Sequence, residues 1–213
     1  MSTTHPNKAT AIDSLLDQLA SARIGATFNP YMERGPDDVP GAPEIRLANL
    51  RHYLLEREHA DILAVGEAAG YQGMRWSGIA FTSERQLSRW GPPYQPTSTT
   101  RKSYWSEPSG TIVHRVLEEL DAERRVILWN TVPTHPHLKG QPLSNRRPTR
   151  PEIEQGAPFS ERLIDIFRPR TLLAVGRVAA GTFGEGALYV RHPAQSGATQ
   201  FAAGMRVYLK TSG

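Results

Sequence analysis

Four side chains in this chain have the types and spacing to do chemistry together: a carboxylate at Glu67, an aromatic ring at Phe81, a carboxamide at Asn130 and an imidazole at His192. They lie in three short segments: GEAAGYQGMRWSGIAF (Gly66–Phe81), WNTVPTHPH (Trp129–His137) and VRHPAQSG (Val190–Gly197). Each segment begins where an apolar run gives out, and the runs Ile62–Val65, Val126–Trp129 and Leu188–Val190 read as buried parallel strands. Loops beyond the carboxyl ends of such strands converge on one crevice. A ring to stack on, a carboxamide to read a hydrogen-bonding edge, an imidazole and an acid make a site that grips a planar heterocycle and reacts with it.

Taken singly, each feature has a plainer reading. Gly66-Glu67-Ala68-Ala69-Gly70 alone is an ordinary strand-to-loop turn, without the Gly-Lys-Ser/Thr ending of a phosphate loop or the G-x-G-x-x-G of a dinucleotide fingerprint. Phe81 alone is a core residue, Asn130 a cap or turn residue, and His192-Pro193 a turn. His135 and His137 have no nearby third ligand and read as loop residues, so no metal is expected.

The elements that must position these residues follow from periodicity. Helices are predicted over Ala11–Arg23, Pro43–Glu58, from a cap at Thr82 or Ser83, over Gly110–Leu120, and over Ile153–Phe167 until Pro169 stops it. A short helix after Gly176 and a last one over Gln200–Leu209 complete the set. Strands are predicted at Asp61–Val65, closed by Gly66, at Val126–Trp129, at Thr171–Val175 and at Leu188–Arg191. Phe28–Gly41 reads as loop, and Gly91–Ser109, rich in Pro, Ser and Thr with interleaved aromatics, as a long loop or lid. The sum is a three-layer αβα fold, a central four-stranded parallel sheet flanked by helices. One domain spans all 213 residues, a helical part over 1–60 preceding a motif-bearing core over 61–197.

Composition narrows the chemistry. With no cysteine, disulfides, thiolate catalysis and cysteine-held zinc or iron–sulfur clusters are excluded. No stretch resembles a membrane span, and the polar start Met1–Thr10 lacks the apolar core of a signal peptide, so cytoplasmic location and a monomer are the default expectations. The net charge of +4 comes from 21 arginines and only 4 lysines among 25 basic residues. That balance is the footprint of a phosphate-binding surface or of a GC-rich genome; composition alone does not choose.

Together and in order, the segments resemble the uracil-DNA glycosylase superfamily. Gly66–Phe81 is similar to its first motif, an acidic water-activating segment followed by a Phe that stacks on uracil. Asn130–Ile153 is similar to the stretch where an Asn reads the uracil edge before a Pro-rich loop containing Asn-Arg. Phe159–Gly181 resembles the helix–strand–Gly-Arg segment of the iron–sulfur members, and RHPAQSG their His-Pro-Ser motif. The resemblance implies hydrolysis of the N-glycosidic bond of uracil in single- or double-stranded DNA, by base flipping and without a cofactor. It implies Glu67 and His192 as catalytic, Phe81, Asn130, Ala68 and Tyr71 as uracil-binding, with Tyr71 barring thymine. Ser144, Asn145, Arg146 and Arg147, with Arg150 beside them, and Gln195, Ser196 and Gly197 would contact DNA; the arginines read equally as a solvated loop outside that context.

The departures are informative. Ala68 stands where the cluster-free branch carries its catalytic Asp, Ala69 where many members have Pro, and Ala194 where Ser follows His-Pro. No Leu wedge follows His192. The chain is therefore placed in a divergent branch without an iron–sulfur cluster. Two alternatives stand beside an active glycosylase: a module of the same fold that binds uracil DNA or stops at a covalent adduct, and a Rossmann-like enzyme holding a small substrate at the Gly66–Gly70 loop.

Overall fold

The computed structural model describes residues 7–210; residues 1–6, which hold most of the polar start, and residues 211–213 lie outside it. Its elements in order are α1 (Lys8–Ser21), β1 (Thr27–Phe28), α2 (Ala42–Leu55), β2 (Ile62–Ala68), α3 (Met74–Ser77), α4 (Glu84–Trp90) and α5 (Pro108–Glu119). There follow β3 (Val126–Val132), β4 (His135–Pro136), α6 (Arg150–Phe167), β5 (Thr171–Val175), α7 (Arg177–Phe183), β6 (Leu188–Val190) and α8 (Ala198–Lys210). The four strands β2, β3, β5 and β6 form one parallel sheet in the order β3-β2-β5-β6, with helices around it. The three-layer α/β expectation holds. Chain order reverses about β2, and such a switch point opens a crevice at the carboxyl ends of the strands.

Three differences from the sequence reading bear on the site. Gly66 does not end the first strand: β2 continues to Ala68 and pairs Gly66 with Asn130 and Ala68 with Val132. The strand carrying Asn130 likewise runs on to Val132, so Asn130 sits inside a strand rather than in a turn after it. Glycine is tolerated there because a neighbouring ring fills the space its side chain would occupy. The small antiparallel pair β1–β4 and the one-turn α3 were not legible, being two and four residues long.

The segment Gly91–Ser109 is a tied strap rather than a free lid. Glu84, a buried carboxylate in the first turn of α4, accepts hydrogen bonds from the backbone N–H groups of Ser98 (2.9 Å) and Trp105 (3.2 Å). The Trp105 ring stacks on Trp76 with centroids 5.3 Å apart and planes 6° from parallel. Pro108 and Ser109 already belong to α5. The N-terminal helices are structural: α1 packs on α2 and α6, burying Ile12, Leu15, Leu16 and Leu19. Among the described residues no helix is long and apolar enough to cross a membrane.

Candidate active site

The site is built over a missing side chain. A Cβ added to Gly66 would fall 2.5 and 2.7 Å from two carbons of the Phe81 ring and 2.6 Å from Asn130 Oδ1. The ring and the carboxamide thus close over the Gly66 backbone. The His192 imidazole completes the group, its centroid 5.7 Å from that of Phe81 and tilted by 38°. Three of the four predicted residues therefore converge at the carboxyl edge of the sheet.

Each is held by a distinct device. Phe81 has φ of +53°, a left-handed conformation that costs a bulky residue of order 1–3 kcal/mol and persists only where the surroundings enforce it. Helix α5 enforces it: the Phe81 carbonyl lies against the α-carbon of Gly110, and the buried His114 side chain bonds Thr82 Oγ1 at 3.0 Å. Asn130 is 3% exposed, and its Nδ2 donates to the Met74 sulfur at 3.1 Å. A thioether only accepts, so Met74 fixes which end of the carboxamide is the amide nitrogen. Met74 was missed from sequence, where an apolar residue in a short segment has no signature of this use.

His192 follows β6 and packs beside Gly176, the left-handed glycine after β5. Burial, helped by the neighbouring Arg191 charge, lowers its pKa to about 4. The ring is therefore neutral at physiological pH. The backbone N–H of Ala194 donates to its Nδ1 at 3.1 Å, and this network puts the ring proton on Nε2. A neutral Nε2–H donor results. Arg191 braces the same turn by donating to the carbonyls of His192 and Gln195. Gln195 and Ser196 are both left-handed, at φ of 52° and 61°, and both exposed.

Glu67 stands apart from that trio. Strand alternation puts Gly66, Ala68 and Asn130 on one face of the sheet and Glu67 on the other. It is half-buried; burial raises its pKa, and the Arg147 charge opposes the rise. Tyr71 has its ring edge-on against Trp105, 6.0 Å away, and its peptide held between Asn145 and Trp76.

The predicted DNA-contacting loop divides in two. Arg146 donates to Glu152 through both terminal nitrogens, at 2.6 and 2.8 Å, and to the His137 carbonyl through Nε. Its fork is filled, so it clamps the capping box of α6, made by Thr149 and Glu152, instead of reaching a phosphate. Ser144 Oγ is likewise spent inside the loop, donating to Gln141 and accepting from Leu138. Asn145 Oδ1 accepts from the Tyr71 N–H at 3.0 Å and couples this loop to the first. Arg147 and Arg150 are exposed, Arg150 in an i,i+4 pair with Glu154. His135 is buried with Nε2 donating to the Ser144 carbonyl. Among the described residues no cluster of three or more His, Asp or Glu could hold a metal.

A cavity of about 500 Å³ opens beside the trio, lined among others by Gly70, Glu107, Asn145, Ala194, Gln195 and Ser196. A larger one, about 740 Å³, lies near Phe167 and Pro169, at the amino end of β5 and away from these residues. Glu107 is the acid that sequence reasoning missed. Its Oε2 is buried without a hydrogen-bond partner, packed against Gly73 and Gly110, where any side chain would collide with it. Burial raises its pKa to about 7. Between the ordinary carboxylate value of 4.5 and about 7, the folded protein holds a proton that the unfolded chain has released, so stability falls as pH rises through that window. Glu107→Gln removes the titration: thermal melts should show the variant gaining on wild type at pH 8 and not at pH 4.5. An equal difference at both pH values would contradict this.

Comparisons with known proteins bear on the fold and on the family. A crystal structure of wild-type SMUG2 from Pedobacter heparinus superposes with a TM-score of 0.62 at 12% identity, covering 95% of this chain and 96% of that one; it supports the fold. No curated protein matches the chain. The family model of the uracil DNA glycosylase superfamily matches residues 54–210, which include every strand of the parallel sheet and all three motif loops. Having no cysteine to hold an iron–sulfur cluster, the chain belongs to the uracil DNA glycosylase superfamily as a cluster-free member.

Proposed function

We propose that the protein is a monofunctional uracil-DNA glycosylase, working as a monomer in the cytoplasm on uracil in DNA. The observation that carries this reading is the convergence of Phe81, Asn130 and His192 over Gly66. The reaction adds water at C1′ of the deoxyribose and breaks the C1′–N1 bond, leaving an abasic site and free uracil. Within a duplex the base is out of reach, so it is flipped at a cost of a few kcal/mol. Stacking on Phe81 returns about 1–3 kcal/mol. Asn130 Oδ1 accepts from uracil N3–H and the remaining Nδ2 proton donates to O4, a pattern that cytosine inverts. The His192 Nε2–H donates to O2 as negative charge builds on the departing base. Because that donor is neutral, its contribution does not depend on protonating the ring.

Glu67, the acid of the first motif, orients water and stabilises the cationic sugar in this reading. Ala68 leaves its own position without an acid. Arg147, Gln195 and Ser196, all exposed, carry the phosphate contacts; Gly197 is buried with its N–H donating to the Ala194 carbonyl, and shapes the turn instead of contacting DNA.

A single-turnover assay tests the reading, using labelled oligonucleotides with one uracil as a single strand or opposite G or A. An alkali-dependent cleaved band is expected. Asn130→Asp should lower uracil excision and narrow the preference for uracil over cytosine, since mispaired buried groups are what reject the wrong base. Unchanged selectivity removes Asn130 from its role. A protein–DNA band surviving denaturation, in place of cleavage, would favour the adduct-forming alternative.

A further inference from the structure

Asparagine as a residue type does not choose between uracil and cytosine. Its carboxamide sets one acceptor beside one donor group, and a half-turn about the Cβ–Cγ bond exchanges them. In one orientation Asn130 accepts from N3–H and donates to O4, which suits uracil. In the other it donates to N3 and accepts from the exocyclic amine, which suits cytosine. The two orientations have nearly the same shape, so packing does not separate them. Selectivity needs a partner that tells oxygen from nitrogen.

Among the described residues the Asn130 side chain makes one hydrogen bond, from Nδ2 to the Met74 sulfur. Both residues are buried, Met74 to 1% exposure, so bulk water offers no substitute. With the carboxamide turned round, Oδ1 would face the sulfur, acceptor against acceptor, and the bond would be lost. The sulfur therefore favours the uracil-reading orientation. Met74 is also held in place, because each of the four residues after it is tied down. Arg75 donates to the buried Asp38 at 3.2 Å, and Trp76 Nε1 donates to the Tyr71 carbonyl at 2.6 Å. The Ser77 carbonyl accepts from Asn49 Nδ2 at 3.3 Å and the Gly78 carbonyl from the Tyr31 hydroxyl at 2.6 Å. Tyr31, Asp38 and Asn49 all precede residue 54, where the superfamily match begins. The clamp on α3 thus comes largely from a part of the chain outside that match.

We propose that Met74 is a specificity-determining residue, one that makes Asn130 read uracil and reject cytosine by fixing the orientation of its carboxamide. The assignment rests on the glycosylase reading above. Met74→Leu tests it, since that swap keeps apolar bulk, is well tolerated in cores and removes the acceptor. Single-turnover excision is measured on oligonucleotides with one uracil or one cytosine. In parallel, free uracil and free cytosine are titrated against ¹⁵N-labelled protein while the Asn130 side-chain amide is followed. The preference for uracil should fall at least ~10-fold, the worth of one neutral hydrogen bond. It is read from excision or, where cytosine is not cut, from the ratio of free-base affinities. Norleucine incorporated at all four methionines keeps the length of the Met74 side chain and deletes only its sulfur, and should narrow the preference equally. An unchanged preference in Met74→Leu, parallel losses on both bases, or full selectivity in the norleucine protein would overturn the assignment. Wild-type protein that neither cuts nor binds uracil would sink the glycosylase reading itself, a result separable from a uracil-selective enzyme indifferent to Met74.

Discussion

Gly66→Ala is expected to cut uracil excision by at least ~100-fold while leaving the protein folded. The added methyl group would sit 2.5–2.7 Å from the Phe81 ring and the Asn130 oxygen, and one of them must yield. Neither yields without cost to the site. Phe81 is fixed at a left-handed backbone under the Gly110 carbon of α5, and Asn130 lies in the buried strand β3 with its amide on Met74. Relief of the contact displaces the ring or the carboxamide by about 1 Å, and misplacement on that scale costs ~10²-fold in rate. The stability penalty of such overpacking, about 1–3 kcal/mol, is below the 5–15 kcal/mol that holds a typical domain together. Excision kinetics beside a thermal melt separate the two effects. Gly70→Ala is the control: its methyl group would meet Glu107 Oε1 at 3.4 Å, an ordinary contact, and should be nearly silent. A Gly66→Ala protein with near wild-type excision would mean that Phe81 and Asn130 do not enclose the base.

The same glycine shows where the sequence was legible and where it was not. Apolar runs located all four strands of the sheet, and Thr171–Val175 was bounded correctly because Pro169 and Gly176 punctuate it on both sides. Gly66 has the same appearance as Gly176, yet one lies within a strand and the other ends one. The difference is a ring supplied from fifteen residues downstream, which no local pattern records. Glu107 was hidden for a related reason. Its environment depends on the absent side chain of Gly73, thirty-four residues upstream and unremarkable there. Arg146 misled in the opposite direction: a basic loop residue looks like a phosphate ligand until its partner, Glu152, is seen six residues on and folded back onto it. Resemblance placed Phe81, Asn130 and His192 correctly beside one another because the order of motifs along an α/β chain maps onto neighbouring loop tips.

Glu67→Gln is expected to slow the chemical step by ~10²–10⁴-fold, the range for losing a positioned acid–base group, while uracil-DNA binding is retained. The substitution keeps size and removes charge, so a loss in rate with unchanged affinity marks a role in the reaction. The pH profile supplies the sign. A base works deprotonated, so the rate should fall as pH drops through the Glu67 pKa, which burial places above the ordinary carboxylate value. Arg147 opposes that rise; Arg147→Ala should therefore move the acid limb to still higher pH, apart from any weakening of DNA binding. Glu107 provides the competing outcome. With a pKa near 7 it would place the limb close to neutrality, and the limb would disappear in Glu107→Gln while surviving in Glu67→Gln. Alternation along β2 makes this contest worth running, since Glu67 points to the face opposite Asn130 and must act around the end of the strand. If the limb follows Glu107, the acid of the first motif is structural here and the chemistry has moved to the start of α5. If it follows Glu67, the missing acid at Ala68 is compensated from the adjacent position, with Arg147 keeping that carboxylate ionised.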